Sequence, residues 1–90
     1  MTPLPLGSIV ATPSSLEALS EAEISPLELL SRHTYGDWGD ISPHDRKVNR
    51  EAIRLGYRVL SSYTLPTGER IWIITEANRE VTTILRPEEY

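Results

Sequence analysis

Arg70-Ile71-Trp72-Ile73-Ile74-Thr75 is the stretch that decides the fold. Ile71 to Ile74 are apolar at every position, so both faces of the extended chain meet hydrophobic surroundings. That is the signature of a central strand. On either side, Tyr57 to Leu65 and Val81 to Leu85 are rich in β-branched and aromatic residues and read as flanking strands. Pro66-Thr67-Gly68 supplies the first turn, with proline setting φ and glycine accepting a positive φ. Ala77-Asn78-Arg79 supplies the second, where Asn78 tolerates the left-handed region. The expectation is a three-stranded antiparallel meander. The short run Ser8-Ile9-Val10-Ala11 offers a fourth strand at its edge.

The first half has a different punctuation. Thr12-Pro13, Ser25-Pro26 and Ser42-Pro43 each place a capping hydroxyl ahead of a proline at the first helical position. Ser25-Pro26-Leu27-Glu28 completes a capping box. Three helices are predicted. The first runs from about Pro13 to Glu23 with Leu16, Leu19 and Ala22 inward. The second runs from about Pro26 to His33 or Tyr35 with Leu27, Leu29 and Leu30 inward, and ends at Gly36. The third runs from about Pro43 to Leu55 with Val48, Ala52 and Leu55 inward, and ends at Gly56. The fold class is therefore α+β, with three N-terminal helices packed on one face of a small sheet. Residues 1–90 form one domain with flexible tails at about 1–6 and 87–90.

Composition narrows the chemistry. With no cysteine among the 90 residues, disulfides, thiolate zinc sites and cysteine nucleophiles are excluded. No run approaches the ~18 apolar residues of a membrane span, and the first residues lack the basic and apolar regions of a signal peptide, so the expected compartment is the cytoplasm. The net charge of −4 is uneven. Residues 1–45 hold seven acids and one base, whereas residues 46–90 hold six acids and eight bases. Such a molecule is weakly repelled by nucleic acid as a whole, although a local basic patch remains available.

Two segments stand out as contact surfaces. Tyr35-Gly36-Asp37-Trp38-Gly39-Asp40 crowds aromatic rings, glycines and carboxylates into one loop. Asp37 and Asp40 offer two oxygens to a hard cation, too few for a calcium site by themselves. Trp38 is either an interface anchor or a staple that fixes the loop to the core. On the third helix, Arg46, Arg50 and Arg54 recur every four residues beside Lys47 and form a basic stripe. Ile53 lies next to it. The stripe suits phosphates or an acidic partner, and equally a plain solvated face with Glu51 pairing Lys47 or Arg54.

Catalytic constellations are scarce. His33, in the last turn of a helix, reads as a surface or capping residue whose charged form the helix dipole favours, and His44 as another surface residue. Two histidines lack a third ligand for zinc. Ser61, Ser62, Tyr63, Thr64, Thr75, Thr82 and Thr83 read as ordinary strand hydroxyls without a base beside them. Arg58, Arg70 and Arg86 lie around a sheet centred on Trp72 and Ile74, a weak match to a small ribonuclease toxin. Glu76, Asn78 and Arg79 suggest an ionic bridge within their turn. No glycine-rich phosphate loop is present, and no cofactor or metal is expected.

The wording of Leu6 to Pro13, Ser25 to Leu30, Gly36 to Asp40, Trp72 to Arg79 and Thr82 to Tyr90 resembles a family of small bacterial proteins of about this length. Its members are common on plasmids, integrative elements and phages, and some are labelled as a type I restriction subunit. Asn78 and Arg86 stand where the family has Asp and Leu, which weakens any carboxylate role at that turn. The resemblance implies a genomic setting and no catalytic residues. By association with that setting, the expectation is a non-enzymatic interaction module that binds a protein partner, such as a host restriction or CRISPR component. The candidate contact residues are Asp37, Trp38, Asp40, Arg46, Arg50, Ile53 and Arg54. The alternatives are a nucleic-acid-binding accessory using the basic stripe and a nuclease-like toxin. An uncovered sheet edge leaves both monomer and homodimer open.

Overall fold

A computed structural model describes residues 2–90; Met1, the first residue of the expected N-terminal tail, lies outside them. The chain is α+β. Strand β1 (Ser8–Ala11) is followed by helices α1 (Pro13–Glu21), α2 (Pro26–Thr34) and α3 (Pro43–Leu55), then by strands β2 (Val59–Thr64), β3 (Arg70–Thr75) and β4 (Val81–Leu85), and a 3-10 turn at Pro87–Glu89. The antiparallel meander is present as β2-β3-β4, and the N-terminal run joins it as an edge strand, giving the order β1-β4-β3-β2; the correction is that the sheet is mixed, because β1 runs parallel to β4. Both β3 and β4 are therefore interior strands. No helix of the described chain is long and apolar enough to cross a membrane.

Each helix starts at its hydroxyl–proline pair, but the capping box expected at Ser25 is not formed, since Ser25 Oγ accepts from Leu27 N while Glu28 N donates to Ser25 O. The hydroxyls of Thr12, Ser25 and Ser42 accept from the amides of Ser15, Leu27 and Asp45, each with proline in the first turn. The inward faces differ from the apolar pattern. Leu16, Leu27, Val48 and Leu55 are exposed, and the buried helical residues are Ser15, Ala18 and Leu19, then Leu29, Leu30 and His33, then Asn49 and Ala52. The reason is the same three times. Each helix sets one polar side chain against the sheet. Ser15 Oγ donates to Ile84 O at 3.1 Å. His33 meets hydroxyls of β2 and β3. Asn49 Nδ2 donates to Leu60 O at 2.7 Å and its Oδ1 accepts from Leu60 N at 3.2 Å. Each of these hydrogen bonds satisfies polar groups that the helix–sheet interface takes out of water, so a polar side chain can face the sheet while the neighbouring leucine or valine stays outside.

The core has two parts. The larger joins Ala18, Leu19, Leu29 and Leu30 to Tyr63, Ile71, Ile73 and Ile84. The smaller joins Leu4, Trp38, Ala52 and Val59 at the β2 side. Full burial of each large aliphatic residue contributes about 1.5–3 kcal/mol. The chain ends are engaged. Leu4 N donates to Thr34 O at 2.9 Å, and Thr34 Oγ1 donates back to Leu4 O at 2.6 Å. At the other end, Glu89 accepts from Arg86 N and Thr12 Oγ1, and the Tyr90 ring lies edge-on to Trp72. Those two hydrogen bonds hold the Glu89 carboxyl below the usual carboxylate range.

Candidate functional site

The least expected feature is a chain of side-chain hydrogen bonds through the core. His33 Nδ1 is 2.6 Å from Ser61 Oγ, and Nε2 is 2.8 Å from Thr75 Oγ1. Thr75 Oγ1 is 2.8 Å from Thr82 Oγ1, which donates to Leu6 O at 2.7 Å. The carbonyl at the end sets every proton. Leu6 O can only accept, so Thr82 spends its hydrogen there and must accept from Thr75. Thr75 then accepts from Nε2–H, which leaves Nδ1 to accept from the Ser61 hydroxyl. The neutral Nε2–H imidazole thus satisfies the whole chain. Burial lowers the His33 pKa from 6.5 to about 4. This corrects the expectation of a surface histidine held charged by its helix.

A serine hydroxyl donating to an imidazole is the geometry of an activated nucleophile. Here Ser61 and His33 are both 0% exposed, and the imidazole's other neighbour is a threonine instead of a carboxylate. No substrate carbonyl reaches Oγ in this arrangement. What the chain does is bridge the row Val59, Thr75, Thr82, which touches the smaller core, to the row Ser61, Ile73, Ile84 of the larger.

The Gly36–Asp40 loop is built into the sheet. Ser62 N donates to Trp38 O at 3.0 Å and Asp40 N donates to Ser62 O at 2.6 Å, so the loop covers the β2 edge. Gly39 has φ +73°, and a Cβ there would collide with the Ser62 carbonyl and the Tyr63 ring. Only glycine fits. Asp37 takes both ends of the Arg32 guanidinium, at 2.7 and 3.3 Å, and that pairing holds its carboxyl below the usual range. The Tyr63 hydroxyl donates to Asp37 O, and burial pushes its pKa up to about 12. Trp38 is 5% exposed inside the smaller core. Among the described residues its Nε1 has no hydrogen-bond partner.

The basic stripe is divided by the rotation of α3. Arg46 turns toward the loop and donates to Gly39 O at 2.8 Å. Arg54 pairs with Glu51 at 2.7 Å. Arg50 and Lys47 remain exposed without an ion pair among the described residues. Ile53 is 46% exposed and lines a hollow of about 490 Å³ together with Pro3, Leu4, Pro5, Thr34 and Arg79, and His33 lies behind this lining with no exposed surface of its own. The Arg79 guanidinium is occupied by the carbonyls of Ala52, Tyr57 and Glu76, which corrects the ionic bridge expected in its turn. It closes the C-terminal end of α3, where exposed carbonyls favour a cation. The hollow is consequently apolar in character, with its one nearby cation already engaged.

Of the seven candidate contact residues, the structure leaves Asp40, Arg50, Ile53 and Arg54 at the surface, pairs Asp37, turns Arg46 inward to the loop and buries Trp38. Among the described residues no three His, Cys, Asp or Glu side chains converge on one point. No protein-family model, curated protein or solved structure matches this chain.

Proposed function

We propose that this protein is a non-enzymatic binding module that captures a protein partner at the hollow beside Ile53. The observation that carries the reading is an apolar concavity with an exposed isoleucine at its rim and Arg50 one turn earlier on the same helix. Apolar pockets hold anchor residues of a partner, and the exposed Arg50 on the same helix favours an anchor with a carboxylate nearby. The sealing of the serine–histidine pair supports a binding role over a hydrolytic one. Commitment of Arg46 to the Gly39 carbonyl breaks the basic stripe and weakens the nucleic-acid alternative. The mobile-element setting implied by the sequence resemblance makes a host-defence component, of the restriction or CRISPR kind, the class of partner proposed.

The test is affinity capture from host lysate with and without nuclease, run in parallel on the wild type and Ile53→Glu. A protein that survives nuclease, binds the wild type and is weakened by about 10- to 100-fold on the variant supports the reading. Because Ile53 is half exposed, the variant should melt within a few degrees of the wild type. Retention of the partner by Ile53→Glu, or capture that vanishes with nuclease, overturns it.

A further inference from the structure

The two edges of the sheet are treated differently. The β2 edge is closed by the Trp38–Asp40 loop and by Asn49, which together occupy the amides and carbonyls of Leu60 and Ser62. The β1 edge has no such cover. Ser8 N donates to Glu80 O and Thr12 N to Ile84 O, so the even-numbered residues of β1 face β4. By the alternation of a strand, the backbone N–H and C=O groups of Ile9 and Ala11 point outward. No protein group bonds them among the described residues.

Nothing on this edge discourages pairing. Proteins usually blunt an open strand with a charge, a proline or a bulge. Here β1 contains none of these, and Ile9 and Val10 are each 48% exposed, one on each face. There is no charged side chain from Thr2 to Leu16. That last point selects the occupant. A molecule of net charge −4 is on average repelled by its own copies. The strand itself carries no charge, so a second β1 laid against it brings no like charges into register, and the Glu89 carboxylate is bonded to Thr12 beyond the strand's end.

We infer that β1 is a self-pairing edge, at which a second copy of this chain adds its own β1 antiparallel and joins the two four-stranded sheets into one. With the twofold axis at Val10, Ile9 stands opposite Ala11 of the partner subunit. The two outward-facing residues exchange both backbone bonds, and the same pairing repeats on the other side of the axis. Val10 then meets the partner's Val10 as a close pair that forms no backbone hydrogen bonds to each other, and covers its exposed face.

The experiment is sedimentation equilibrium of the 90-residue chain across a wide concentration range. The expected mass is twice 10.2 kDa. Ile9→Pro removes an outward N–H and no bond to β4, so it should keep the circular dichroism spectrum and weaken the dimer by about a hundredfold. Val10→Lys, which sets like charges against each other across the axis, should do the same and serves as the second variant if proline disturbs the strand. A wild type that stays monomeric at the highest concentration overturns the inference, whether or not β1 takes up an extended peptide from another protein. So does a dimer that both folded variants retain.

Discussion

Acidification from pH 7 to pH 5 should destabilise this protein through His33 alone among its buried groups. The imidazole titrates near 6.5 when unfolded and near 4 when folded. The folded value is the lower of the two, so between them the unfolded chain binds the proton and the native state does not. Stability rises with pH wherever the unfolded state holds more protons, so this contribution is complete above about 6.5 and is lost as the pH falls toward 4. At ~1.36 kcal/mol per pH unit the whole window corresponds to about 3 kcal/mol, of which about 2 kcal/mol is lost between pH 7 and pH 5. His33 is fully buried and its ring partners are hydroxyls, so no neighbouring carboxylate restores the charged form. The assay is urea unfolding at pH 7, 6 and 5 for the wild type and for His33→Gln, with the ring titration followed by NMR. The wild type should lose stability steadily, and the variant, less stable at pH 7, should be nearly flat. A wild type that is flat over this range, or a variant with the same slope, would refute the assignment of His33 as a sealed neutral imidazole.

Two other substitutions test how the layers are joined. Asn49→Ala removes both bonds to Leu60 and leaves a strand amide and carbonyl unpaired, so urea unfolding should show a loss of about 2–3 kcal/mol. A loss under half a kcal/mol would mean that water replaces the side chain at no cost. Gly39→Ala places a methyl against the Ser62 carbonyl at a positive φ, and thermal unfolding should show a loss of at least ~2 kcal/mol with the β2 edge disturbed. A variant as stable as the wild type would place that loop away from the strand.

The apolar pattern of the sequence exposes the elements well and the orientation of the helices poorly. The strands, the Pro66–Gly68 turn and the three capped helix starts follow from local chemistry, namely β-branched runs, Pro-Thr-Gly and hydroxyl-proline pairs, whereas in the second turn the left-handed residue is Arg79 instead of Asn78. The parallel pairing of β1 is a long-range choice that no local residue encodes. A pattern that sorts side chains into apolar and polar assigns Ser15, His33 and Asn49 to solvent, although all three are buried. Part of the signal was nevertheless present. A turn at Ala77 to Arg79 sets Thr75 opposite Thr82, on the face that carries Ile73 and Ile84. Two buried threonines require a polar partner, and His33 shares the inward stripe of α2 with Leu29 and Leu30. The local sequence allows Trp38 both as anchor and as staple. Its burial beside Leu4 and Ala52 depends on the N-terminal segment folding back, which is again a long-range event.

The direction of the buried hydrogen-bond chain also says where its weakness lies. The bonds from Nε2–H through Thr75 and Thr82 to Leu6 O run the same way whether His33 is neutral or protonated, because Nε2 donates in both states. Only the Ser61 end changes. A protonated Nδ1 must donate, so Ser61 has to turn its hydrogen away in a site with no water-facing surface. The Leu4–Leu6 segment, part of which walls the hollow, is therefore held by a bond that does not depend on the histidine's charge. The acid-sensitive joint lies at the contact between α2 and β2, on the opposite side of the imidazole. Loss of stability on acidification should thus begin by loosening α2 from β2, while Leu6 stays fastened to β4 through Thr82.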